Sequence, residues 1–348
     1  MNRVTHIKLI LISLLLLSPF LSGVITAYGA NVFVTTMDVT SRINLEAEVE
    51  TRGQFQISFD GGYKYQGKLA FQYYNLDLEN DTYPVLKFDG AQASVNDVFH
   101  FLDITYYTGF YGILGEGKHY KGHLYHRDPG FDYDGYLPIL GTGLIFGMNY
   151  YDMYSGQLFV YQRYGSDYIN SLDIGFGLDK DPFIFSLFLG ISDQIYRAGS
   201  QIKYLGDEVE LYLTVGNPTI ELGNPIEFDD FYFLMEEWFK LKNWNLILSV
   251  FTRPKNHYNY ISRAYVDTNE RNDIDFNFDL NYAPAAKYFS AGGELNIQTN
   301  KLETLGVFFS PYISIHTTGI IWKVKVDFNV LSESRDLVTA YLNIRASF

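Results

Sequence analysis

Apolar and polar residues alternate with a period of two along most of this chain, and no helical period of comparable length interrupts them. Ile43, Leu45, Ala47 and Val49 alternate with Asn44, Glu46, Glu48 and Glu50. Leu211, Leu213 and Val215 alternate with Glu210, Tyr212 and Thr214. Ile274, Phe276, Phe278, Leu280 and Tyr282 alternate with Asp273, Asp275, Asn277, Asp279 and Asn281, and Ile320, Trp322, Val324, Val326 and Phe328 with Ile321, Lys323, Lys325, Asp327 and Asn329. Such a period puts each set on its own face of a β-strand. Each segment is about as long as the ~9 to 11 residues that a tilted membrane strand needs, with one face toward lipid and the other toward a lumen.

The last twelve residues carry the same pattern: Val338, Ala340, Leu342, Ile344, Ala346 and Phe348 fall on every second position, and the sequence stops on that aromatic residue. This resembles the closing strand of the porin-like outer-membrane β-barrel proteins of diderm bacteria. The resemblance implies an all-β fold, an antiparallel transmembrane β-barrel in the bacterial outer membrane, surrounded by outer-membrane lipids. It also implies two kinds of partner, the periplasmic chaperones and the β-barrel assembly machinery, the latter reading Phe348, Ala346, Ile344 and Leu342 as an assembly signal.

Other features agree with export. Arg3 and Lys8 precede the apolar run Leu9 to Leu17, and Ala27-Tyr28-Gly29 offers small residues three and one positions before a cut. Residues 1–29 are therefore expected to be a cleaved signal peptide and 30–348 a single barrel; a membrane anchor is the other reading, but a spanning helix wants about 20 apolar residues. With no cysteine, neither a lipoprotein anchor nor a disulfide framework is available. Tyr and Phe number 30 and 28 against 3 Trp, a bias that suits strands and, for Tyr, a membrane interface. Removing Arg3 and Lys8 leaves 24 basic against 40 acidic residues, a charge of −16, which makes nucleic acid an unsuitable partner.

Eighteen segments read as strands, an even number, with any even count from 14 to 18 compatible with the pattern. The first lies near 43 to 50, preceded by only thirteen residues from Ala30 to Arg42, too few for the amino-terminal plug of the long-chain fatty-acid transport barrels. Residues 183–191 are apolar on both faces, 229–239 read as a strand or a short helix, and Gly141-Thr142-Gly143 as the start of a strand. If Phe348 lies at the periplasmic end, the three longest connections, 115–141, 216–228 and 253–272, fall on the outer side, with tight turns such as 179–181 and 317–319 on the inner side, the asymmetry expected of these barrels.

Chemistry is harder to read. The connection at 115–141 carries His119, His123, His126 and Asp128; it is either a solvated surface loop, a gathering of imidazoles around a transition metal, or a segment folded into the barrel as a constriction, as one loop is in the general porins. No metal or other cofactor is assigned to the chain. The acidic run from Asp273 lacks the glycine and final carboxylate of a calcium loop, since Phe278 and Pro284 stand at those places. Asp273, Asp275, Asn277 and Asp279 read instead as a lumenal ladder that attracts cations. Lys323, Lys325 and Arg345 also face inward, as do Glu46 and Glu48 on the first strand, which closure would place beside the last. These charges either brace the wall in cross-strand pairs or set a transverse field across a constriction.

Catalysis has little support: Ser310, Ser314 and His316 are scattered along one strand, and no nucleophile elbow or phosphate loop occurs, so no catalytic residue is assigned. The expectation is a non-enzymatic, porin-like channel for passive diffusion of small hydrophilic solutes or ions. A surface adhesin or structural barrel is the second reading, and an outer-membrane hydrolase or acyltransferase the third.

Overall fold

The computed structural model describes residues 31–45, 49–60, 64–75, 85–119, 137–151, 153–164, 166–193, 195–259, 264–267, 273–284, 288–300, 304–331 and 337–347. Residues 1–29, Glu46, Glu48, His123, His126, Asp128, Phe348 and the side chain of Asp273 lie outside that description. The strands are β1 (Asn31–Asn44), β2 (Val49–Asp60), β3 (Tyr65–Asn75), β4 (Val85–Val98), β5 (Leu102–Leu114), β6 (Leu137–Tyr150), β7 (Tyr154–Arg163), β8 (Ser171–Lys180), β9 (Phe183–Ser192), β10 (Ile195–Leu205), β11 (Val209–Glu221), β12 (Tyr232–Leu241), β13 (Trp244–Thr252), β14 (Asn256–Asn259), β15 (Ala264–Asp267), β16 (Asp273–Tyr282), β17 (Phe289–Asn300), β18 (Thr304–Thr317), β19 (Ile320–Asn329) and β20 (Val338–Ser347).

All of these except β14 and β15 form one 18-stranded antiparallel sheet. Each strand pairs with its neighbour in sequence, β13 skips the small β14–β15 hairpin to pair with β16, and β1 pairs with β20. The sheet is thereby a closed barrel with the expected eighteen strands. Because the strands alternate in direction, the long connections 115–136, 222–231 and 253–272 all emerge at one end, opposite tight turns such as 181–182, 242–243 and 318–319.

The two faces follow the period of two. Along β16, Phe276, Phe278 and Leu280 are exposed on the outside while Asp275 is fully buried inside. The same holds on β9, where Phe183, Phe185, Leu187 and Leu189 point out and Ile184, Ser186 and Phe188 point in, so a segment apolar on both faces in sequence still has one outer set. An aromatic pair, Trp244 with Tyr282 at 5.0 Å, marks the outer surface near the tight-turn end.

Three expectations need correction. Residues 43–50 are not one strand: Ile43 and Asn44 end β1, Val49 opens β2, and residues 31–42 of the expected lead-in belong to β1 itself. The register slips between Val32 and Val34, so the apolar phase changes from even to odd positions and the alternation is masked. Residues 229–239 divide into a 3-10 turn at Phe228–Asp230 and the strand β12. Gly141 does not begin a strand but sits inside β6, at a bend.

Candidate functional site

The β5–β6 hairpin leaves the barrel wall part-way along its length. β4 pairs with β5 only as far as Gly90 opposite Gly109, and β7 pairs with β6 only as far as Arg163 opposite Gly141. Beyond the Gly109–Gly141 pair, Phe110–Leu114 and 137–140 pair with each other alone. Gly109 has φ +89°, and a Cβ there would fall on the Asp89 carbonyl oxygen, while one on Gly141 would fall on that of Gln162. Only glycine lets the two strands of the hairpin turn inward so close to the backbones of β4 and β7.

The bent tip forms a strap across the lumen. Leu114, Leu137 and Ile139 pack with Tyr232, Leu234 and Phe251 of β12 and β13, joining separated parts of the wall in one apolar cluster. The Gln92 amide of β4 donates to the Tyr111 carbonyl at 2.9 Å. On the far side Thr214 donates to the Gly115 carbonyl and Gln201 to that of Glu116. Glu236, fully buried, accepts the backbone N–H groups of Lys118 and His119 at 2.7 and 3.1 Å. Glu210 lies between the ammonium groups of Lys118 and Lys240, each at 2.6 Å, and both lysines sit over the Trp238 ring. The His119 ring meets Trp238 edge-on at 4.6 Å.

Behind the strap, Arg197 and Asp173 form a buried ion pair, with the Tyr161 hydroxyl donating to the same carboxylate at 2.8 Å. Two charges out of water hold only when paired and hydrogen-bonded to each other. On the other side, Glu116 of the strap is exposed within the lumen, and its charge acts on Lys68 of β3 and Lys203 of β10.

Of the residues predicted to be lumenal, Asp279, Lys323, Lys325 and Arg345 are each paired on the inner face. Asp279 accepts from the Tyr312 hydroxyl. Lys323 and Lys325 both bind Glu294 of β17, at 2.7 and 3.1 Å, and Lys325 also reaches Asp327. Arg345 binds Asp38 of β1 at 2.8 Å. Lys323, Lys325 and Arg345 are thus matched by acids, through Glu294, Asp327 and Asp38. Asp275, expected to face water, is buried and engaged in an interaction. Asn277 faces inward opposite Asn296, and Asp273 opens β16 opposite Asn300. Leu342, Ile344 and Ala346 lie on the outer face of β20, in register with Ser41, Val39 and Met37.

Of the four residues singled out in the 115–141 connection, His119 is placed in the strap, on the lumenal side of the barrel. Among the described residues no group of three or more metal-ligating acids and imidazoles gathers. His316 meets the Ser290 hydroxyl at 3.2 Å, and among the described residues no carboxylate completes a triad with it.

With this geometry in hand, comparison with solved structures is informative. A substituted Rh. blastica porin matches over 91% of this chain and 100% of its own, with TM-score 0.52 and 12% identity. A structure described as showing asymmetric conductivity of engineered proteins matches over the same spans, with TM-score 0.51 and 11% identity. The fold is that of a porin-like barrel. No protein-family model matches the chain, and no curated protein does.

Glu210, Glu236, Trp238 and Lys240, which anchor the strap of this porin-like barrel, were not legible as a site. Their only signal is alternation, which places Glu236, Trp238 and Lys240 on the inner face of β12; what they hold is set by a hairpin far away in sequence.

Proposed function

We propose that the protein is an outer-membrane channel through which small hydrophilic solutes or ions diffuse passively. The strap carries this reading: a polar-lined barrel whose interior is narrowed by an inward hairpin, anchored on the far wall, sieves solutes by size and contact. The apolar outer face fits a lipid environment, with the tight turns toward the periplasm. Under this reading residues 1–29 direct export, and the closing strand with Phe348 is the signal read by the assembly machinery.

Reconstitution of the purified barrel in a planar bilayer tests the proposal. Discrete conductance steps in potassium chloride are expected. A barrel that inserts but never conducts would overturn it in favour of a surface adhesin or structural barrel.

A further inference from the structure

We infer that uncharged hydrogen-bonding solutes cross this channel along a polar track on β20, β1, β2, β3 and β4, with Gln54 and Gln72 as its specificity-determining residues. The inference rests on the channel reading above and names the solute class that reading leaves open.

The track is a row of register partners. Arg345 of β20 stands opposite Asp38 of β1, Asp38 opposite Gln54 of β2, Gln54 opposite Gln72 of β3, and Gln72 opposite Lys87 of β4. All five side chains lie on the inner face, since Phe55, Phe71 and Phe88 hold the alternate outer positions. Four strand spacings give the row a length of roughly 19 Å. In a closed barrel the strands tilt, so a row perpendicular to them climbs. Arg345 lies opposite Ile321, just past the tight turn at 318–319, whereas Lys87 is two residues from the start of β4 at the long-loop end. The row therefore leads from one mouth toward the other.

The charges at the ends of the row are engaged, and its centre is uncharged. The Asp38 carboxylate is taken up by Arg345 and by the Asn343 amide at 2.7 Å, and Lys87 is itself engaged. Gln54 is the one exposed side chain of the central pair, and neither it nor Gln72 bonds another described residue. Each amide presents a donor and an acceptor together, which matches a hydroxyl or amide on a neutral solute and has no preference for the sign of an ion. The remaining inner wall departs from this: the region behind the strap is filled by buried side chains, and the basic groups of β19 are bound to Glu294.

The test compares glucose entry by liposome swelling with potassium chloride conductance, using the full-length chain as wild type and as Gln54→Met with Gln72→Met, a replacement of similar shape without the amides. Glucose entry is expected to fall roughly fivefold, the effect of losing about one hydrogen bond, while ion conductance stays within about twofold. Gln54→Asn with Gln72→Asn should restore most of the glucose entry. If the double Met form fails to give the folded, heat-modifiable band, Gln54→Met alone, at a water-facing position, carries the same readout. A conducting wild type that excludes glucose, or a Met form with unchanged glucose entry, overturns the track and leaves the channel standing. A wild type that neither conducts nor admits glucose overturns the channel reading, and the track with it.

Discussion

Gly109 of β5 and Gly141 of β6 are register partners, and past them the two strands have ladder pairing only with each other. That single pair turns part of the wall into a strap. Gly109→Ala places a Cβ against the Asp89 carbonyl at φ +89°. The exchange is expected to cost about 1–3 kcal/mol, borne by the strap and not by the eighteen-stranded wall. Limited proteolysis of the assembled barrel should show faster cleavage within 110–119 with the heat-modifiable shift preserved. Unchanged cleavage would mean the hairpin bends without help from this residue.

Glu236 anchors the other end. As a buried carboxylate accepting the N–H groups of Lys118 and His119, it holds the strap by backbone, independent of the side chains carried there. Glu236→Ala removes both bonds, a loss on the order of 1–3 kcal/mol, and opens the lumen where the strap now lies. Larger and noisier single-channel conductance is expected. Lys118→Met should give a milder change, because its ammonium is partly exposed and Lys240 remains on Glu210.

The barrel was readable in sequence for a simple reason: a strand with one wet and one apolar face must alternate, so seventeen of the eighteen wall strands fell close to their places. The first did not, because a slip between Val32 and Val34 shifts its phase. Inward charges were readable for the same reason, but their partners were not. Lys323 and Lys325 lie on β19 and find Glu294 two strands away, a relation set by register and side-chain reach. The strap was foreseen only as one fate of a long loop, since nothing local in Gly109 or Gly141 announces that they meet.

Glu294 binds both lysines, so Glu294→Gln removes one carboxylate from two cations and leaves them only Asp327 beside Lys325 and Asp279 nearby. The reversal potential across a potassium chloride gradient should move toward anion preference. The shift should fade as salt rises, because screening confines the influence of a charge to about 10 Å at 0.1 M. No movement at low salt would place the pair outside the conducting path.

The outer face makes a prediction of opposite sign at two positions. Phe276 points outward from the middle of an apolar row, and Phe276→Arg should impair assembly, since a cation near the midplane of a lipid-facing strand costs about 2–4 kcal/mol. Glu237 shares that face of the barrel, in register with Leu211 and Leu248, yet carries a carboxylate. Lipid-facing acids cost less than bases, so Glu237→Leu should stabilise the barrel by up to about 2 kcal/mol, read as a higher urea midpoint for unfolding from vesicles. If Glu237→Leu instead weakened the barrel while Phe276→Arg was tolerated, the two faces would be assigned the wrong way round.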